Sequence, residues 1–520
     1  MLALDQDSRL KAARTLMLNG KTRRRVAAFL HPRGTIYVLI ASAPAITACL
    51  IASFRWPLVH DAPLMHYIAW RILSGAVPYR DIFDMNMPGV YVLHILVLKI
   101  FGPSDLGWRL FDLVWLLFTA GAVYLLCRPL SRWGGVLAAV FFFCYHLSVG
   151  AINMGQRDFL LCVFLLLSAH FSALSVERRA SPKWALLGGL CLGAGMTIKP
   201  YCVPYGIIII TLIALRAYFD GSPWVREVLS FAAGSVVAPF LLGLWLVRTG
   251  GLHPMLDITF KFLAPFYSKM GNADTLALAL LPLRLNQLWI FVTLLAWRRI
   301  AKSLRYWLMV LGTVFGWFSF VLQGKGWDYH LYPFNVFLCA LLGVSIASLL
   351  ERRALATKVL GFSCLSLFML LIALRCWSVS QTPMSSDLMA NKVTTVKCLA
   401  GYLRTRIDPS RDTVQIMDEA EGGIHALFLL RAAEPTRFIY DYQFLPDFQS
   451  QYAQALRTEF EEGLRTRRPK YIVVFNRPLQ GPSGHGRVKL EFPDLYRLLT
   501  QSYNLEFSSF AYDIYARREQ

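Results

Sequence analysis

Residues 88–132 read PGVYVLHILVLKIFGPSDLGWRLFDLVWLLFTAGAVYLLCRPLSR, and the order of every later segment depends on how they are read. Two apolar runs lie in this stretch. The second, 109–127, is long enough to cross a hydrocarbon core of ~30 Å as a helix and is closed by Arg128 and Arg132. The first, 88–101, is shorter and carries His94 and Lys99. Counting it as a span would place Arg128 and Arg132 outside the cell and invert each subsequent loop. Basic residues collect on the cytoplasmic side of membrane proteins. The run 88–101 is therefore read as an amphipathic helix lying in the interface, within a long first external loop (55–108) that holds a similar candidate at 62–74.

Working outward, the same reading extends along the chain. Spans are expected near 35–54, 109–127, 135–152, 158–175, 184–198, 203–219, 228–247, 285–298, 306–322, 332–349 and 358–378, eleven in all. The loops with Arg128/Arg132, Arg178/Arg179/Lys183, Arg216/Arg226, Arg298/Arg299/Lys302/Arg305 and Arg352/Arg353/Lys358 then share one face with the basic segment 1–33. That face is cytoplasmic, and 1–34 is too long and basic for a cleavable signal. Apolar residues make up 56% of the chain and charged residues 16%, against about a quarter charged in a soluble protein. The excess of 53 Lys+Arg over 32 Asp+Glu records orientation in the membrane rather than affinity for nucleic acid. The ten cysteines show no metal-ligand spacing and read as small apolar packers.

After the last span, residues 379–520 alternate strand-like stretches at 413–418, 471–476 and 511–516 with helical patterns near 388–406, 448–465 and 493–502. This is a small α/β domain, external by parity. The chain thus divides into a cytoplasmic arm (1–34), a membrane domain (35–378) and an external domain (379–520), with no internal repeat or low-complexity tract. It is expected in a cytoplasmic membrane.

Four polar constellations fall on the external face. The first loop has His60-Asp61, then Tyr79-Arg80-Asp81-Ile82-Phe83-Asp84-Met85-Asn86-Met87-Pro88-Gly89. Gln156-Arg157-Asp158 follows the third span, Lys199-Pro200-Tyr201 stands at a span boundary, and 323–333 contains Lys325, Asp328, Tyr329 and His330. Taken singly, Asp61 could be a helix cap and Lys199 a snorkelling lysine. Together, carboxylates suited to a base or a divalent ion meet Lys and His suited to phosphate, which points to a phosphorylated substrate dissolved in the membrane.

These motifs resemble the GT-C superfamily of integral-membrane glycosyltransferases, near the bacterial aminoarabinose and protein O-mannosyl transferases. The resemblance is carried by Asp61 and the segments 75–81 and 84–89. It continues through Asp158, Thr197-Ile198-Lys199-Pro200 and the start of a late span at 325–333. Where relatives have Asp-Glu, Asp61 is followed by Ala62, and Asp84-Met85-Asn86 replaces Glu-Lys-Pro. The resemblance implies a sugar on a polyprenyl-phosphate donor, a lipid or glycan acceptor, and inversion with Asp61 as general base. Asp84 and Asp158 would assist catalysis or hold a divalent cation if one is used. Asp81, Arg157, Lys199, Lys325, Tyr329 and His330 would bind substrate, with Lys199, Lys325 and His330 on the phosphate. A transporter or flippase for a lipid-linked or anionic solute is the alternative of another class.

Overall fold

The computed structural model describes residues 30, 33–177, 181–219, 221, 224–271, 273–295, 297–382, 387–418, 422–444, 448–475 and 492–518. Most of the arm 1–34 and the basic pair Arg178/Arg179 lie outside these residues.

Each expected span is a helix. They are α1 (Arg33–Ser53), α4 (Asp105–Cys127), α5 (Arg132–Ser148), α6 (Arg157–Glu177), α7 (Pro182–Met196) and α8 (Val203–Phe219). Five more follow: α9 (Val225–Thr249), α11 (Thr275–Leu295), α12 (Leu304–Gln323), α13 (Tyr332–Leu350) and α14 (Leu355–Gln381). Eight of them are long and apolar enough to cross a membrane alone; α5, α7 and α8 are shorter and complete the bundle among them. One expectation shifts. The span placed at 285–298 begins ten residues earlier, because Pro282 is accommodated inside α11. The loop before it is also structured, with α10 (Leu252–Ile258) running into a π-helical segment, Thr259–Tyr267.

Burial sorts the helices. α13 is buried along nearly its whole length, with Gly343 packed on the backbone of Ala138 in α5. In contrast, α1 and α9 turn apolar side chains such as Ile40, Ile51, Val236 and Phe240 outward. Outward-facing apolar helices are stable only against lipid, so this is a multi-pass membrane protein.

The first loop contains two more helices, α2 (Ala62–Leu73) and α3 (Pro88–Ile100). At 1.5 Å per residue a helix of 13 residues reaches about 20 Å, too short to span. The two pack on each other, and α3 is tied to the turn after α7, where the Gly89 N–H donates to the Thr197 carbonyl at 3.0 Å. A Cβ at Gly89 would collide with Thr197, so this close approach requires glycine.

The C-terminal part is an α/β unit. It has α15 (Asp387–Arg404), β1 (Val414–Met417), α16 (Gly423–Leu430), α17 (Gln451–Arg467), β2 (Tyr471–Phe475), α18 (Pro493–Ser502), β3 (Tyr503–Ser508) and β4 (Tyr512–Arg517). The sheet order is β1-β2-β4-β3, with β1 and β2 parallel, as a connection through helices demands, and the other pairs antiparallel. α16 and β3 were not expected from the sequence. The unit rests on the first loop: α16 packs against α2, the Glu434 N–H donates to the Tyr67 hydroxyl at 3.1 Å, and Phe83 N–H donates to the Arg437 carbonyl at 2.7 Å.

Candidate active site

Asp61 precedes α2, and its side chain makes no helix-capping hydrogen bond. Its carboxylate turns instead toward α6. Oδ2 accepts from Arg157 at 2.8 Å, and Oδ1 lies 3.1 Å from His60 Nδ1. Burial opposes the charged form, but His60 and Arg157 outweigh it and hold the Asp61 carboxyl well below the usual carboxylate range. The Asp61 and Arg157 side chains stay 25% and 20% exposed, so a ligand can reach them.

Arg157 and Asp158 form the first turn of α6, and one helical residue apart they face different partners. Asp158 is sealed inside and accepts from Lys199 Nζ at 2.6 Å, while the same ammonium donates to Gln323 Oε1 at 2.5 Å. Lys199, expected on the phosphate, is thus the buried partner of Asp158. The reason is elementary: neither charge could sit this deep without the other.

The late-span motif completes the cluster. Tyr329 lies edge-on to His60, with ring centroids 5.4 Å apart, and against His330 at 4.6 Å. His330 is within electrostatic reach of Lys199, Arg157, Asp61 and Lys325. Lys325 itself is drawn to the carbonyls that end the π-helical segment, donating to Tyr267 O at 3.0 Å and to Met270 O, with its ammonium over the Tyr267 ring. Burial lowers it to about 8. It borders the cluster rather than pointing into it.

The structure separates two expected residues from this cluster. Asp84 is buried, and its oxygens accept from Tyr91 OH, Tyr440 OH at 2.7 Å, Asn86 N–H at 3.0 Å and the Asn86 amide. Those donors fill a carboxylate's capacity. Asp81 sits in a partly exposed turn, bidentate with Arg80 and accepting from Val77 N–H at 2.8 Å. A divalent ion was expected on Asp84 and Asp158 if one is used, but protein donors already occupy both. Among the described residues no three His, Cys, Asp or Glu side chains gather as a ligand set. These residues do not fit a metal site, and no step below is routed through one.

Two contributors escaped the sequence reading. His60 has φ +62°, a left-handed conformation that non-glycine residues adopt rarely and that concentrates at functional sites. Beneath the site, Asp112 is fully buried, binding Arg109 and His146 and accepting from the Gly155 N–H at 2.7 Å. Gly155 has φ +63°, and a side chain there would strike Trp108. Asp112 thereby fixes the turn that delivers Gln156 and Arg157. Ionisable residues inside a span carried this signal.

Several polar atoms around Asp61 are buried with no hydrogen-bond partner among the described residues: Gln156 Oε1, Arg157 Nε, Tyr329 OH and His330 Nδ1. The N-termini of α6 and of the turn leading into α13 come together here, which favours an anion.

Comparison with known proteins fits this arrangement. Residues 86–245 match the dolichyl-phosphate-mannose-protein mannosyltransferase family. None of the curated proteins matches. Among solved structures, ArnT from Cupriavidus metallidurans bound to undecaprenyl phosphate superposes with a TM-score of 0.59 at 13% identity, covering 93% of this chain and 98% of that one. Its apo state gives a TM-score of 0.61 at 12% identity with the same coverage. This is the fold of the GT-C membrane glycosyltransferases, carrying over residues 86–245 the sequence pattern of the mannosyltransferase family.

Proposed function

We propose that the protein transfers a sugar from a polyprenyl-phosphate donor to an acceptor hydroxyl, with inversion, at the external membrane face. One observation carries this reading. The accessible Asp61–Arg157 pair is ringed by buried polar atoms that have no partner among the described residues. Leaving such groups unpaired costs about 1–3 kcal/mol each, so a polar ligand is the natural occupant. The likeness to ArnT, solved with undecaprenyl phosphate, supports a lipid phosphate as that ligand.

Arg157, the Tyr329 hydroxyl and His330 are positioned to hold the donor phosphate. The acceptor oxygen attacks the anomeric carbon from the opposite side, the carbon–phosphate oxygen bond breaks, and the electron pair leaves on phosphate. That leaving group needs charge stabilisation rather than a proton. The base duty falls to the Asp61 site, and one displacement inverts the configuration. With the phosphate contact moved to Arg157, Lys199 and Asp158 keep the floor of the site in place.

The test uses purified protein in detergent with a polyprenyl-phosphate-linked sugar, following release of the polyprenyl phosphate and label transfer to envelope lipid. Asp61→Asn should lower turnover by about 10²–10⁴ while donor binding persists. Near-wild-type transfer would remove Asp61 from the reaction.

A further inference from the structure

Asp61 divides its two oxygens between a guanidinium and an imidazole. Arg157 holds Oδ2 at 2.8 Å, and His60 Nδ1 stands 3.1 Å from Oδ1. A carboxylate in this position accepts from Nδ1–H and so fixes the tautomer, leaving Nε2 as a bare lone pair, the logic by which an acid orients a histidine base. Gln156 lies 3.1 Å from the same Nδ1, and its Oε1 is buried with no partner among the described residues. The same Gln156 amide nitrogen donates to the Ile152 carbonyl at 3.1 Å. The His60 side chain stays 25% exposed.

The ring faces a space. His60 lines a narrow cleft of about 40 Å³ between residues 58–64 and the α/β unit. Leu58, Pro63, Val396 and Ile439 give it apolar walls, and Lys392 and His425 add polar groups. The left-handed backbone at His60 is the strain that aims the ring here, with Tyr329 as its edge-on support.

We propose that His60 Nε2, oriented by Asp61, is the atom that takes the proton of the acceptor, a molecule carrying a hydroxyl. The proposal rests on the glycosyl-transfer reading above. As the acceptor O–H proton moves to Nε2, the acceptor oxygen bonds to the anomeric carbon. The bond from that carbon to the phosphate oxygen breaks, with its electron pair leaving on phosphate. The resulting imidazolium is stabilised by the Asp61 carboxylate and returns its proton to water after the product departs.

Base strength agrees. A carboxyl held far below its usual range is a weak base, whereas imidazole is the side chain most often used as a general base. The charged and titratable groups around His60 are Asp61, Arg157 from α6, Tyr329 and His330 from the late turn, and Lys392, Asp418, His425 and Tyr440 across the cleft. Burial pushes His425 down to about 4, so it stays neutral near neutral pH.

The experiment compares wild type, His60→Asn and His60→Gly, two residues that adopt a left-handed backbone at little expense. Purified full-length protein is assayed with a polyprenyl-phosphate-linked sugar from pH 5 to 9, with donor binding measured in parallel. Wild-type turnover should fall on the acid side, because the base must be unprotonated. Both variants should lose about 10²–10⁴ in turnover at unchanged donor affinity and lose the acid limb. Added imidazole should restore His60→Gly, more basic imidazoles doing so more strongly. Variants with the wild-type rate and acid limb would overturn the proposal. So would a His60→Gly protein that binds donor but does not respond to imidazole. A wild-type protein that binds donor and transfers nothing overturns the glycosyl-transfer reading itself.

Discussion

Lys199 Nζ and Asp158 Oδ2 meet at 2.6 Å in the interior, joining the turn after α7 to the first turn of α6. Breaking a buried pair by removing one partner leaves an uncompensated charge and costs about 3–5 kcal/mol. Asp158→Ala should therefore lower the thermal midpoint in detergent sharply, and Asp158→Ala combined with Lys199→Met should recover most of the loss. A single variant as stable as wild type would show that the pair does not hold the floor of the site.

Tyr440 donates to Asp84 at 2.7 Å across 356 positions of sequence. Tyr440→Phe removes one donor from a buried carboxylate, an effect of about 1.5–3 kcal/mol. Thermal or urea unfolding of the purified protein should register it, with Asp84→Ala more severe. Equal stability of Tyr440→Phe and wild type would mean that Tyr91 and Asn86 alone satisfy Asp84.

His66 and His94 face each other through their Nδ1 atoms at 2.8 Å, packed on Trp108. Burial pushes His66 down to about 3 and His94 well below its ordinary value. The sign follows directly. Between about pH 6.5 and 3 the unfolded chain binds protons that the folded one refuses, so stability falls as pH falls through that window. His94→Phe, which keeps the stack on Trp108, should flatten the dependence of the thermal midpoint on pH. Parallel slopes for the two proteins would assign the acid sensitivity elsewhere.

Among the described residues Cys398, on α15, is the exposed cysteine, the others being buried or partly so. If the α/β unit lies on the external face, as the charge pattern of the loops implies, a membrane-impermeant maleimide should label intact cells through Cys398, and Cys398→Ser should abolish the signal. As a control for the opposite face, a cysteine replacing the exposed Ala354 should label only after permeabilisation. The reverse pattern would invert the topology.

How much of this was legible beforehand depends on the range of the interaction. The spans could be read because each is a local run of apolar residues, and the horizontal placement of 88–100 followed from its length and from Arg128 and Arg132. The cluster of Asp61, Arg157, Asp158, Lys199, Tyr329 and His330 was legible as residue types on one face. Which of them pair was not. Asp158 and Lys199 cancel each other, and Asp84 is filled by Tyr440, through contacts that no local pattern encodes. The left-handed φ at His60 is equally silent in sequence, since histidine gives no sign of the backbone it adopts. Arg109, Asp112 and His146 did give a sign, as ionisable residues within apolar runs, and only their convergence was hidden.

The knot at Asp84 bears on how such a chain can diverge. Tyr79 donates to the Asn86 carbonyl, Tyr91 and Tyr440 donate to Asp84, and Phe83 lies alongside Phe438 as a short parallel bridge. Segments 79–91 and 434–444 are therefore a matched lock and key written at opposite ends of the chain. In any set of close homologues the two segments should vary in concert. A chimera that exchanges everything after residue 387 should fold only when 79–91 comes from the same parent.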